Sequence, residues 1–235
     1  MKKILVGGTV GLLLFSIVFH RALITTYDFY NFQAKYPEVI DRGTVNWQTV
    51  RFSSDTQTHD SSHSLTLDRL TITLPFSAQF ERAETYVHAY HDAQAVTLFA
   101  AVTPDFFAEH ADDFTDHEQA GICALLSRTA TVDACHNEQT LWDAYLRLKP
   151  DDVGFFSSSV EKGLFLKLMI LKKTELLSNR IAHFETSNST GYLYYLGGDN
   201  FAAHVFVDPG TMFSINFTGL NEAAVTTMLS TMLVE

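Results

Sequence analysis

The sequence predicts an α+β fold: an antiparallel sheet with helices packed on it, preceded by one N-terminal transmembrane or signal-anchor helix. Three observations predict it. An uncharged apolar run, Ile4 to Phe19, follows the basic pair Lys2-Lys3. Beyond it, apolar residues alternate with a period of two at both ends of the chain. Between those ends they recur at helical spacing instead. Composition agrees, because 46% hydrophobic and 13% aromatic residues with only 12 Gly and 5 Pro in 235 describe a chain with a core. Disorder and collagen-like repeats are thereby excluded.

The opening run decides the expected compartment. A basic start before an apolar stretch suits either a cleaved signal or an uncleaved anchor. No pair of small residues in the A-x-A manner is well placed for cleavage after Phe19, which favours the anchor, and no Cys precedes Cys123 to take a lipid. The run is short of the roughly 20 residues that cross a bilayer. If Arg21 snorkels to the interface, Ala22 to Ile24 complete the span. Lys2 and Lys3 then hold the N-terminus in the cytoplasm. The expected layout is an anchor at 1–26, a stalk at 27–45 and one extracytoplasmic domain at 46–235. The expected location is a cell inner membrane, single-pass, with the domain in the periplasm or a comparable space.

Within that domain, Trp47 to Phe52 and Leu70 to Leu74 alternate cleanly, and Pro75 stops the second. The slip at Asp68-Arg69 predicts a bulge or tight turn. Residues 82–91 and 95–102 read as further strands. Thr103-Pro104 predicts a helix start, and Thr115 to Glu118 and Ser158 to Glu161 both match the reciprocal capping pattern. Leu141, Tyr145 and Leu148 share a helical spacing, and 159–177 is the longest helix expected. Strands return at 180–186, 191–196, 201–207 and 211–218. Gly197 to Asn200 and Asp208 to Thr211 are turn signals that make the last three strands a meander. Val225, Met228, Leu229, Met232 and Leu233 form the stripe of a closing helix.

An oxidising compartment would make Cys123 and Cys135 a disulfide rather than two thiols. Twelve residues along one helix span about 18 Å, far beyond bridging reach. The bridge therefore requires a bend, and Arg128 to Thr131 is the place for it.

The stretch from Tyr192 to Leu233, with Phe213-Ser-Ile-Asn-Phe217-Thr-Gly219 before an amphipathic helix, resembles the PsbP-like fold. Leu70-Thr-Ile-Thr-Leu74-Pro75-Phe76 is similar to that fold's strand-then-proline opening. This chain differs by a long helical section between the two blocks. The resemblance implies a non-enzymatic exported helper or binding module, and it assigns no functional residue.

Net charge is −11, which argues against nucleic acid as a partner, since that binding rests on Lys and Arg. No Lys or Arg occurs between Arg82 and Arg128. Eight acids lie in that gap, and six of them crowd 105–118: Asp105, Glu109, Asp112, Asp113, Asp116 and Glu118. They suit a basic protein partner by electrostatic steering, or a divalent cation together with His110 and His117. They also suit helix N-termini, where carboxylates are favourable, and the lysines of 162–173 could neutralise them within the fold. Two catalytic signatures are missing: no Gly-x-Ser-x-Gly and no His-Glu-x-x-His. His88 and His91, three apart on a strand, face opposite ways. The apolar, lysine-bearing stretch 162–173 reads as a core helix rather than a membrane-surface helix. The expected function is a membrane-anchored protein-binding module, an adaptor, assembly helper or inhibitor, without a cofactor. Two alternatives stand beside it: an enzyme with an unrecognised site between sheet and helices, and a metal-binding protein.

Overall fold

A computed structural model describes residues 20, 23–50, 52, 63–154, 156–176, 178 and 180–234. The expected bilayer span, Ile4 to Phe19, lies outside them. Among the described residues no helix is long and apolar enough to cross a membrane.

Residues 23–35 are helical (α1), and Pro37–Gly43 form a second helix (α2), with Pro at the position where its missing N–H costs nothing. The segment read as a stalk is therefore largely helical. Phe29 and Val39 are buried, and the Phe29 ring meets Phe165 edge-on at 5.6 Å. Strands β1 (Asn46–Val50), β2 (Ser64–Leu67) and β3 (Leu70–Thr73) follow. The slip at Asp68 is a tight hairpin turn, with Asp68 at φ 52°. The strand expected over 82–91 is instead two, β4 (Gln79–Arg82) and β5 (Tyr86–His91), paired as a hairpin; β6 is Gln94–Phe99.

The helical section holds α3 (Phe106–Glu109), α4 (Asp116–Ala130), α5 (Glu138–Arg147) and α6 (Ser159–Glu175). The N-cap of α3 is Asp105, not Thr103: its carboxylate accepts from the Ala108 amide at 2.9 Å. Both expected capping boxes form, at Thr115–Glu118 and Ser158–Glu161. The bend after α4 falls at Thr131, which adopts a left-handed conformation at φ 59°. It turns the chain so that Cys123 and Cys135 are joined, with Cα atoms 5.6 Å apart.

The second half adds β7 (Arg180–Glu185), β8 (Thr190–Gly197), β9 (Asn200–Asp208) and β10 (Thr211–Thr218), the last three a meander as expected. Helix α7 (Glu222–Ser230) is shorter than its stripe suggests. The chain unwinds at Thr231, and Leu233–Val234 form β11, so Leu233 is 59% exposed.

The main sheet has eight strands in the order β1-β7-β8-β9-β10-β6-β5-β4. It is mixed rather than purely antiparallel, because β1 runs parallel to β7. Parallel neighbours need a long crossover, and everything from β2 to α6 supplies it. A second sheet, β11-β3-β2, covers part of one face. With α7 it buries Leu193, Ala203, Phe213, Ile215 and Phe217. The helices pack on the other face, over Ile181, Tyr192, Tyr194 and Phe206. Alternation along β8 and β9 serves two cores at once, which is why both strands are buried nearly throughout. Gly191 is required by this closeness: a Cβ there would collide with the His204 carbonyl and the Phe184 ring.

Helix α6 is a core helix, burying Leu164, Phe165, Leu168 and Met169. Its lysines are spoken for. Lys167 pairs with Glu118 and Lys173 with Glu38. Lys162 donates to Thr26 Oγ1 at 3.0 Å. Lys172 is completely buried and donates to the carbonyls of Leu146 and Leu148 at 3.1 and 2.8 Å. Those carbonyls lie at the end of α5, where a helix leaves acceptors without partners, so Lys172 closes that terminus from the side.

Candidate functional site

Between the helices and the sheet lies a cleft of about 360 Å³. Three helices and two strands build it. Helix α3 and the turn after it bring Glu109 to the rim and His110 into the wall. Helix α5 contributes Trp142, the end of α6 contributes Glu175 and Leu176, and β8 and β9 contribute Tyr194, Ala202 and His204. Phe106 anchors the arrangement. It is fully buried, with ring centroids 4.8 Å from His110, 5.0 Å from Tyr145 and 5.8 Å from Trp142. Such edge-to-face packing fixes ring orientation as well as burying area.

The polar groups are linked. His110 Nε2 lies 3.0 Å from Glu175 Oε1, and its Nδ1 lies 3.5 Å from Asp113 Oδ2. Tyr145 donates its hydroxyl to Glu175 Oε2 at 3.3 Å. Burial raises the Glu175 pKa above the ordinary carboxylate range, opposed by His110 and reinforced by Glu109 and Asp113. Burial and the Glu175 charge together raise that of the Tyr145 hydroxyl. Across the cleft, the Tyr194 hydroxyl and His204 Nδ1 are 3.2 Å apart. Burial lowers the His204 pKa to about 4, so its imidazole is neutral near pH 7. Trp142 Nε1 is buried and has no hydrogen-bond partner among the described residues. An unsatisfied buried indole N–H is uncommon in native folds.

The six acids expected to form a partner surface sit at separate places in the fold. Asp105 caps α3, and Asp116 lies in the first turn of α4. Glu118 caps α4 and pairs with Lys167; that bond, then the Thr115 amide, hold its pKa down to about 2. Asp113 faces His110, Asp112 is exposed in the turn between α3 and α4, and Glu109 alone reaches the cleft. Among the described residues, no group of three or more His, Cys, Asp or Glu side chains is arranged to hold a metal ion.

Trp142, Tyr145, Glu175, Tyr194 and His204 escaped the reading of the sequence as site residues. Two signals were available. Glu175 ends α6, where the helix dipole disfavours an acid. The two-residue turn after Gly197 sets β8 against β9 in a register that pairs Tyr192 with His204 and Tyr194 with Ala202.

A second, more polar hollow of about 450 Å³ lies on the far side of α5, with Asp143, Arg147, His183 and Thr190 in its wall. Arg147 and Asp143 pair there at 2.8 Å, and His183 Nε2 lies 3.0 Å from the Thr190 hydroxyl. Asp143 and Arg147 thus satisfy one another.

No family model matches this chain, and no curated protein or solved structure matches it either.

Proposed function

We propose that the chain is an exported binding module, tethered by its N-terminal apolar run, that holds a small ligand in the cleft between α5 and the sheet. One observation carries the proposal. An aromatic-walled cavity of about 360 Å³ brings two imidazoles and two carboxylates together, beside a buried indole N–H without a partner. Ligand sites have that character: apolar walls with a few converging polar groups. Export is supported separately by the Cys123–Cys135 bond, since such bonds persist in oxidising compartments. The acidic segment enters this reading through Glu109, the member of it that lines the cleft.

Ala202 gives a test. It is 8% exposed and lines the cleft, so Ala202→Leu fills the cavity without adding charge. Fragments found to bind the full chain in detergent by ligand-observed NMR are expected to lose at least about tenfold in affinity to this variant, equivalent to ~1.4 kcal/mol. Fragments that bind the variant unchanged place the site elsewhere.

One observation favours a second reading, an acid–base enzyme: Asp113, His110, Glu175 and Tyr145 form a chain able to move a proton. A binding module returns its ligand unaltered. Mass spectrometry of bound compounds after incubation separates the two readings.

A further inference from the structure

The charge and wall chemistry of the cleft suggest what class of ligand enters it. Its carboxylates, Glu109 at the rim and Glu175 inside, are backed by Asp113 behind His110. No Lys or Arg lines it. The buried amine of Lys172 is directed to the Leu146 and Leu148 carbonyls and lies over the Tyr145 ring, 5.3 Å from its centroid. The remaining wall is made by Trp142, Leu176, Tyr194, Ala202 and the two imidazoles. A wall of carboxylates and ring faces without a fixed cation attracts a positive charge in two ways. The carboxylates act by direct Coulomb attraction, and the rings by the negative potential of their faces. A neutral His204 adds nothing to oppose it, while His110, 3.0 Å from Glu175, answers part of that carboxylate's charge and leaves Glu109 the freer of the two.

We infer that the cleft receives a small organic ammonium ion, its charge toward Glu109 and Glu175 and its apolar body against Trp142 and Tyr194. The inference rests on the binding-module reading above and narrows it to a substrate class. A bare divalent cation fits less well, because it needs several oxygens at once and the cleft has no group of three such ligands among the described residues.

The test compares choline with 3,3-dimethylbutan-1-ol, which has the same shape and hydroxyl but no charge. Both are titrated by calorimetry into the full chain in detergent. Choline is expected to bind roughly tenfold more tightly than its neutral counterpart. That preference should fall by about threefold in Glu109→Gln, whose exposed side chain is not needed for folding, and should shrink with added salt. Equal affinity for the two probes overturns the ammonium inference and leaves the cleft as a site for neutral ligands. Binding of neither up to about 10 mM, with the protein folded, overturns both the inference and the reading on which it rests.

Discussion

Lys172→Met is expected to destabilise the domain by about 3 kcal/mol at pH 9, with the loss shrinking as pH falls toward 7. The amine donates to two carbonyls at the end of α5, and methionine fills its volume while leaving both acceptors buried and unpaired. The pH dependence follows from burial, which lowers the Lys172 pKa from 10.5 to about 7, against a smaller opposing effect of Asp152. Between those values the unfolded chain keeps a proton that the native protein has released. Stability due to this group therefore rises with pH through that window and is lost on acidification, with a limiting slope of about 1.4 kcal/mol per pH unit. A neutral amine still has two N–H bonds for two carbonyls, so the geometry suits the deprotonated form. Urea unfolding between pH 7 and 9.5 reads the slope below the range where buried tyrosines begin to act. A wild-type slope equal to that of Lys172→Met would show that Lys172 stays protonated in its buried position.

Cys123→Ala/Cys135→Ala is expected to cost about 3 kcal/mol, from the closure entropy of a loop of this length. In a domain of this size that lowers the melting temperature by roughly 6–12 °C. The bond matters beyond global stability. It joins α4 to the 3-10 turn at Ala134–His136 that leads into α5, and α5 carries Trp142 into the cleft. Ligand affinity should fall with it. A reducing agent should reproduce the effect in the wild-type protein and do nothing to the double variant. Melting temperatures that agree with and without reductant would mean that the two sulfurs are not bonded in the protein.

Much of the fold was legible because local signals agreed with one another. The turn residues at 197–200 and 208–211 fix two hairpins, both capping boxes close as their spacing requires, and the bend that a Cys123–Cys135 bond demands falls at Thr131. Long-range features were not legible. Nothing local in Asn46 to Val50 says that its neighbour is a strand more than 130 residues away running parallel to it. Residues 27–45 read as a stalk through Pro37, Asp41 and Gly43, yet Phe29 and Val39 bury themselves in the core beside α6, a contact visible only in three dimensions.

The site was harder still, for a physical reason. Charge density drew attention to 105–118, but most of those carboxylates stabilise helix starts, a local task that local sequence encodes. The cleft assembles side chains from five separated segments. Each is individually unremarkable: a tyrosine and a histidine on strands, a tryptophan on a helix face, a glutamate at a helix end. Only the hairpin register and the packing of α5 over β8 and β9 bring them within reach of one ligand.

The proposal that this cleft is the working site is tested most directly by the imidazole resonances of the full chain. The ten histidines are followed by NMR while a fragment that binds the protein is titrated in. The expected result is that His110 and His204 shift together and saturate together, while His117 on α4 and His88 and His91 on β5 stay in place. Movement of His117, or of the β5 pair, with His110 and His204 unmoved would contradict it and transfer the binding site to the acidic segment or to the open end of the sheet.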